Sequence, residues 1–286
     1  MAVYKPDDAL LRVQVESIRS QTLAEWTCLI GIDGVDELVA RALAEAIGDD
    51  DRFVVIEYPE NVGHYRNFER IIQRAVIQDV DWIALADQDD QWSATRLERL
   101  VSALGHGDTG GACCQASLVR RDGEIIGTTS RGQSGDLFGL LMDNRVTGTL
   151  SVFTRQVARL ALPFPPIRDS AFHDHWLGVV AQATGSFTYL DDVLQTYVQH
   201  DRNAVGELNS GLRARLTRLR SSTASRSMSW LSYLSWHRWG WRAEMARVLI
   251  ERELAGNQHQ MLGSVASGKP RSRLTGLLLR SWGRGD

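Results

Sequence analysis

The sequence is poor in cysteine, and it has no long apolar run. The three cysteines, Cys28, Cys113 and Cys114, have neither the spacing of a zinc site nor the even number of a disulfide framework. We interpret them as reduced thiols in the core. No apolar run reaches the roughly 18 residues that cross a bilayer, and no basic segment followed by a hydrophobic stretch opens the chain. The sequence therefore predicts a cytoplasmic protein.

Two nucleotide-binding signatures are also missing. Neither a Gly-x-Gly-x-x-Gly fingerprint nor a Walker loop occurs, which removes most of the support for nicotinamide and P-loop chemistry. The rest of the composition, 43% hydrophobic and 23% charged over 286 residues, is that of an ordinary globular chain. It fits one large domain, or one domain with an appendage.

Charge is distributed unevenly along the chain. Residues 1–201 hold 17 Lys and Arg against 30 Asp and Glu, about −13, whereas residues 202–286 hold 15 against 5, about +10. A basic, tryptophan-bearing tail suits an anionic membrane surface or nucleic acid. A solvated packing appendage explains the same pattern, and we favour that interpretation.

The first half alternates strand and helix. Strands are predicted at 1–4, 26–32, 52–57 and 80–86, with helices at 9–20, 37–47 and 64–77 between them. Helices between successive strands indicate a parallel sheet with right-handed crossovers, which is a Rossmann-like arrangement.

An acidic turn, Asp87-Gln88-Asp89-Asp90, directly follows the apolar run at 80–86. Open α/β sheets bind ligands beyond the carboxyl ends of their strands, and clustered carboxylates suit Mg²⁺, Mn²⁺ or Ca²⁺. A solvated turn that caps the next helix is an equal alternative. Asp33 ends the second strand on the same rim. One crevice would then hold a base or ribose at Asp33 and metal-bound phosphates at Asp89.

The second half is less regular. A hairpin is predicted around Arg121-Asp122-Gly123, followed by a helix at 136–142 and a strand at 147–153. Asp174 precedes an apolar helix, where a carboxylate is favoured, although a simple N-cap explains it equally. His200 ends an extended segment, and a lone histidine is more often structural than a ligand.

Six ordered motifs now carry a family resemblance. They are Gln21-Thr22, Ile32-Asp33-Gly34, Asn61-Val62-Gly63 with Asn67-Phe68, Asp87 to Trp92, His173-Asp174-His175-Trp176 and Tyr197 to His200. Their order resembles that of family 2 glycosyltransferases, in particular the rhamnosyltransferase-like subgroup. The resemblance implies an α/β GT-A fold over 1–205, with a Rossmann-like nucleotide-sugar-binding half (1–104), a mixed-sheet acceptor half (105–205) and a C-terminal helical region (206–286).

The resemblance also implies the role of each site residue. Asp174 would be the catalytic base, and Asp89 with His200 would bind a divalent metal, Mn²⁺ or Mg²⁺. The nucleotide would contact Ala2, Tyr4, Asp33, Asn67 and Asp87. His175 and Trp176 would face the acceptor. The implied reaction moves a sugar, with inversion, from a nucleotide-sugar donor to a growing surface polysaccharide or lipid-linked saccharide. dTDP-rhamnose is the first choice of donor and a UDP-sugar the second.

Three departures keep other interpretations open. Only the end of the first strand is present, only the second member of the usual acidic pair remains at Asp33, and His175 stands where an aromatic residue is common. A catalytically inactive sugar-nucleotide-binding or assembly subunit is therefore an alternative, and a nucleotidyltransferase is a weaker one. An aromatic-rich apolar set from Trp230 to Leu249 predicts packing or a homodimer. Its alternative is peripheral contact of 207–286 with the inner face of the plasma membrane. We do not expect nucleic acid as a partner.

Overall fold

A computed structural model describes residues 1–105, 108–129, 135–166, 171–199 and 230–267. The chain divides into two compact units. The first comprises residues 1–134, 145–164 and 173–199, and the second comprises residues 135–144, 165–172 and 200–286. Every site residue predicted above except His200 belongs to the first unit.

The first unit opens with a three-stranded parallel sheet in the order β1-β2-β3. Its strands are β1 (Ala2–Val3), β2 (Cys28–Asp33) and β3 (Phe53–Tyr58), and its helices are α1 (Asp8–Arg19), α2 (Glu37–Ile47) and α3 (Gly63–Ala75). Asp7 and Asp36 cap α1 and α2 by accepting backbone hydrogen bonds, as residues at N-caps commonly do. The predicted alternation of strand and helix over this region is confirmed.

Aliphatic side chains of β1, β2, α1 and α2 form one core cluster on a face of this sheet. Val3, Leu11, Ile30 and Leu43 are each at most 1% exposed, and burying such a side chain contributes about 1.5–3 kcal/mol. A Cβ at Gly31 would lie 2.6 Å from the Ile71 side chain. The glycine therefore lets α3 lie directly against β2, which positions the start of α3 beside the end of that strand.

The second sheet is mixed, in the order β4-β8-β6-β9-β5, with β7 paired to β6. Its strands are β4 (Trp82–Ala84), β5 (Gln91–Trp92), β6 (Thr109–Arg120), β7 (Ile125–Thr128), β8 (Ser151–Thr154) and β9 (Ser186–Gln199). β6 and β9 run parallel, and the other described pairs are antiparallel. Helices α4 (Arg96–Leu104), α6 (Arg155–Ala161) and α7 (His173–Thr184) accompany this sheet.

The predicted fourth strand needs correction. Only Trp82–Ala84 forms β4, and it pairs with β8 in the second sheet instead of extending the parallel sheet. Its link to β1 is a backbone hydrogen bond from Ala2 N to Ala86 O at 3.2 Å. On its other side the chain is held to β8, because Leu85 N donates to Ser151 O at 3.2 Å. The acidic turn therefore lies where the two sheets meet.

Two local predictions in the second half had mixed outcomes. The hairpin at Arg121-Asp122-Gly123 is confirmed, and Gly123 adopts the positive φ of 88° that the turn requires. The strand predicted at 147–153 begins instead as a short 3-10 helix, Gly148–Leu150, before β8. That helix brings Gly148 and Thr149 to the rim.

The second unit contains α5 (Leu137–Met142), α8 (Trp230–Glu251) and α9 (His259–Ala266). Arg242 Nε donates to Met142 O at 2.7 Å and so ties α8 to the end of α5. Trp241, Met245 and Leu249 are at most 1% exposed, which favours packing for this part of the aromatic-rich set. The remainder of the predicted C-terminal helical region, residues 206–229 and 268–286, lies outside the described residues. Within the described part of the chain, no helix is long and apolar enough to cross a membrane.

Candidate active site

Asp33 lies at the carboxyl end of β2 and is 4% exposed. Its Oδ1 accepts hydrogen bonds from Val62 N at 2.8 Å and Arg70 Nη2 at 2.7 Å, and its Oδ2 accepts from Gly63 N at 2.9 Å. The two amides belong to the N-terminus of α3, where the helix dipole favours an anion. Asp33 is thus a charged group with local compensation, and three of its roughly four acceptor positions are used.

Asn67 is buried and contacts both β2 and Arg70. It is 1% exposed, its Nδ2 donates to Gly31 O at 2.9 Å, and its Oδ1 accepts from Arg70 Nε at 2.9 Å. Arg70 also stacks on Tyr58, 3.7 Å from the ring centroid. Direct contact between Asn67 and a nucleotide, as predicted, does not fit this burial. Its position supports Arg70, and through Arg70 it supports Asp33.

The acidic turn is held at its start by Gln88. The Gln88 side chain accepts from Tyr4 N at 2.8 Å and donates to Tyr4 O at 3.1 Å, so it pairs with the chain just after β1 as another strand would. Tyr4 is 51% exposed and leaves its ring available to a ligand. Ala2, also predicted near the nucleotide, lies in β1 directly before it. Gln88 was not predicted as a site residue, although it stands inside the motif.

Helix α1 holds the far end of the turn. Trp92 N donates to Ser17 Oγ at 3.0 Å. Gln21 Nε2 donates to Ser93 O at 2.7 Å, and Gln21 Oε1 accepts from Leu97 N at 2.9 Å. Ser17 and Gln21 are both buried. The turn is therefore fixed on both sides, and its carboxylates cannot separate freely.

Asp90 points into the protein. It is 2% exposed, and its Oδ2 accepts from Thr149 Oγ1 at 2.5 Å and Gln195 Nε2 at 2.8 Å. The buried Arg96 lies below, donates to Thr149 O and stacks on Trp92. Burial and the neighbouring carboxylates hold the pKa of Asp90 well above its usual range. Asp90 is thus part of the scaffold of the turn.

Asp87 and Asp89 are the half-buried members of the turn. Burial, followed by the negative charges of Asp89 and Asp174, raises the pKa of Asp87 to about 7. A divalent cation would relieve this repulsion, and carboxylate oxygens are the ligands that Mg²⁺ and Mn²⁺ prefer. Among the described residues, no group of three or more His, Cys, Asp or Glu could hold a metal ion. Asp89, the predicted metal ligand, lies in this turn beside Asp87. The other predicted ligand, His200, lies outside the described residues.

Asp174 lies in the first turn of α7. Its Oδ2 accepts from Gly148 N at 3.1 Å and its Oδ1 from His175 N at 2.6 Å. The residue after Gly148, Thr149, donates to Asp90, so the 3-10 helix Gly148–Leu150 links Asp174 to the acidic turn. The structure therefore brings Asp174 and the acidic turn together, as the sequence predicted, with Asp174 inside the helix and not at an N-cap.

The two residues predicted to face the acceptor lie in the interior. His175 is 1% exposed, and Trp176 is 0% exposed with its indole N–H donating to Ala161 O at 2.8 Å. Helix α7 is buried on all sides from His175 to Ala181, as a helix that is largely apolar all round commonly is. The predicted roles of His175 and Trp176 in an open acceptor pocket do not fit this burial, and we correct them to positions in the core.

Comparison with known proteins identifies the family of this chain. Residues 1–158 match the family model described as glycosyl transferase family 2. A comparison with curated protein sequences finds no significant match. Several solved structures have similar folds. One is the mannosyltransferase PcManGT from Pyrobaculum calidifontis in complex with GDP-Man and Mn²⁺, at 14% identity over 99% of this chain and 85% of that one, with a TM-score of 0.54.

A second similar structure is S. aureus TarS 1–349 in complex with UDP-GlcNAc, at 9% identity over 90% of this chain and 84% of that one, also with a TM-score of 0.54. At these identities the likeness concerns the fold, which is of the GT-A type. The family match covers more than half of the chain. The chain belongs to glycosyl transferase family 2, and it is a glycosyltransferase.

Proposed function

We propose that this glycosyltransferase moves a sugar, with inversion, from a nucleotide-diphosphate donor to an acceptor hydroxyl, and that a divalent cation at Asp87 and Asp89 takes part. The observation that carries the proposal is geometric: Gly148 N donates to Asp174 and the next residue, Thr149, donates to Asp90, so the proposed base lies beside the carboxylates that follow β4. The nucleoside would lie towards Asp33 and Tyr4. His200 is proposed as a further metal ligand from the resemblance alone.

The chemistry requires one displacement. The acceptor oxygen attacks the anomeric carbon, the bond from that carbon to the diphosphate oxygen breaks, and its electron pair leaves with the nucleoside diphosphate. The Asp174 carboxylate takes the proton of the attacking hydroxyl. A divalent cation held at Asp87 and Asp89 would supply charge neutralisation for the leaving diphosphate. Since one displacement inverts the centre, no second carboxylate nucleophile is needed.

The donor and the acceptor are proposed by resemblance. The subgroup motifs favour dTDP-rhamnose and a surface-polysaccharide or lipid-linked acceptor. UDP- and GDP-sugars are the alternatives, because the structures with similar folds hold UDP-GlcNAc and GDP-Man. Residues 206–286, which carry the excess of positive charge, are proposed either as a packing region, in the monomer or a homodimer, or as a contact to an anionic membrane.

A thermal-shift panel tests the proposal. dTDP, UDP and GDP are each added with and without Mn²⁺ to the wild type, to Asp89→Ala and to Asp49→Ala, an exposed carboxylate away from the site. Since a ligand that binds only the folded state raises Tm, we expect one nucleotide with Mn²⁺ to raise Tm by several degrees. The rise in Tm should persist in Asp49→Ala and vanish in Asp89→Ala.

Two results would count against the proposal. If none of the nucleotides raises Tm of the wild type, the chain does not bind a donor of this kind. If a nucleotide binds equally with and without Mn²⁺, and equally in Asp89→Ala, the acidic turn is only a helix-capping turn. If the matching nucleotide-sugar binds but a transfer assay detects no turnover, the inactive binding subunit is favoured.

A further inference from the structure

His64 occupies a position that the proposed function does not use. It is the second residue of α3, directly after Gly63, which has a positive φ of 78°. The Gly63 amide donates to Asp33, so His64 follows the nucleoside end of the proposed site by one residue. The residue is exposed, unlike most of α3 around it. A ligand at Asp33 would therefore extend past this imidazole.

The His64 side chain contacts the first residue of α7. Its ring lies 5.9 Å from that of His173, at an interplanar angle of 73°. His173 immediately precedes Asp174, the proposed base. It is 8% exposed and stacks on Phe68, with ring centroids 4.0 Å apart and 16° between planes. His64 thus lies between Gly63, which donates to Asp33, and His173, which precedes Asp174. Its ring packs against a His173 ring that is itself stacked on Phe68.

The pKa of His64 shifts in the direction expected for a side chain that protein atoms surround. Desolvation lowers its pKa although the residue is exposed, and the charges of Asp174 and Asp33 partly oppose this effect. A side chain that is surrounded by protein yet reachable by solvent behaves in this way. At neutral pH the imidazole is uncharged, with one nitrogen that donates and one that accepts.

His173 forms a suitable support for such a ring. Both of its ring nitrogens are buried without a hydrogen-bond partner. Burial lowers its pKa to about 4, an effect that Asp174 opposes and His64 reinforces. The ring is therefore uncharged at neutral pH, so it does not repel His64. A Cβ at Gly148 would lie 2.5 Å from His173 Nε2, so the glycine leaves room for this ring beside Asp174.

We propose that His64 binds the sugar of the donor by hydrogen-bonding one of its hydroxyl groups, and that His173 is a positioning residue that orients it. The inference rests on the proposed function. In the donor the diphosphate lies between the nucleoside and the sugar, and the reacting carbon is the sugar atom that carries the diphosphate. The diphosphate belongs with the cation at Asp87 and Asp89. A ring in contact with the neighbour of the base is on the sugar side.

Calorimetric titration separates sugar binding from nucleotide binding. The probes are dTDP with dTDP-rhamnose, UDP with UDP-GlcNAc, and GDP with GDP-mannose, each with Mn²⁺. The variants are His64→Ala, His64→Gln and Gln73→Ala, the last being an exposed polar residue on the same helix. The quantity compared is the ratio of the Kd of the nucleoside diphosphate to the Kd of its sugar conjugate.

We expect His64→Ala to weaken the sugar conjugate about fivefold to tenfold while the nucleoside diphosphate binds as in the wild type, because one hydrogen bond to the sugar is lost. His64→Gln, which retains a donor and an acceptor, should recover part of this loss, and Gln73→Ala should lose nothing. Equal weakening of both probes, or no weakening of either, would overturn the assignment. If the wild type binds none of the probes, the proposed function itself fails, and the assignment fails with it.

Discussion

Two carboxylates at the same edge of the molecule have opposite surroundings. Asp33 ends β2 among positive groups, namely Arg70 and the first amides of α3. Asp87 follows β4 among negative ones, and its pKa is raised to about 7. The protein supplies positive partners for the Asp33 carboxylate, whereas it places further negative charges beside the Asp87 carboxylate. An external cation therefore lowers the free energy at Asp87 far more than at Asp33, a difference that fits the proposed nucleoside end at Asp33 and the proposed phosphate end at Asp87.

Removing the compensation at Asp33 should have the largest effect. In Arg70→Met the carboxylate remains buried without its cation, and breaking a buried pair in this way costs about 3–5 kcal/mol. Arg70 is 17% exposed in its side chain, so we expect the lower end of that range. Urea unfolding at pH 7 measures the change.

Arg12→Met is the matched control for Arg70→Met. Arg12 pairs with Glu45, but both side chains are about half exposed, 51% and 55%, and such pairs contribute about 0–1 kcal/mol. A similar loss in the two variants would show that Asp33 does not depend on Arg70 and would weaken the contrast between the two ends.

The crowding at Asp87 should appear as a pH dependence of stability. The folded protein binds a proton at Asp87 up to about pH 7, whereas the unfolded chain releases it near its usual pKa of 3.8. Between these values the folded state holds more protons, so the free energy of unfolding falls as pH rises from 4 to 7. A pKa difference of one between the two states corresponds to about 1.4 kcal/mol. Because the residue is partly exposed, we expect a loss of about 2–4 kcal/mol over this range.

Asp87→Asn tests this sign directly. The amide cannot ionise, so the free energy of unfolding should fall less between pH 4 and pH 7 than in the wild type, with the two curves closest at pH 4. Chemical unfolding at half-unit steps of pH, in buffer with EDTA, gives the curves. A steeper fall in the variant would mean that the Asp87 carboxylate is stabilised in the folded protein, in which case the two ends of the site do not differ.

The smallest effect is expected at Asp90, because this carboxylate serves the scaffold. Asp90→Asn retains an oxygen for Thr149 and Gln195, and we expect a change within about 1 kcal/mol. Asp90→Ala leaves the buried Thr149 hydroxyl without its acceptor and Gln195 Nε2 with only Thr149 Oγ1 as a partner, which costs about 1–3 kcal/mol. Thermal or urea unfolding of the two variants at pH 7 distinguishes them. If Asp90→Asn removes the Mn²⁺-dependent rise in Tm while leaving stability unchanged, Asp90 belongs to the metal site.

The sequence predicted the parts of the molecule that depend on local pattern. The boundaries of α2 match the prediction, and the hairpin turn at Asp122-Gly123 lies where predicted, because periodicity and turn chemistry act within a few residues. The place of β4 could not be predicted in this way. Its antiparallel partner β8 lies about 70 residues further along the chain, and nothing in the local pattern at 80–86 specifies that pairing.

The candidate site shows the same limit. The sequence named Asp33, Asp87, Asp89 and Asp174, and the structure places these carboxylates along one edge of the first unit. It did not indicate which polar residues turn inward. Trp176 and Asn67 are buried, whereas Gln88 and Arg70, which hold the site in shape, were not predicted as site residues. Burial depends on neighbours distant in sequence, so a motif alone cannot reveal it.

The hydrogen bonds that join Ser17 and Gln21 to the segment after the acidic turn also affect how the site forms during folding. Gln21 reaches partners 72 and 76 residues away, and Ser17 reaches one 75 residues away. Loops of that length must close before these bonds exist, and contacts of high sequence separation slow folding. The shape of the turn is therefore a product of the completed first unit and not of its own residues. During synthesis the acidic residues would therefore be present before the turn adopts the shape seen in the folded protein.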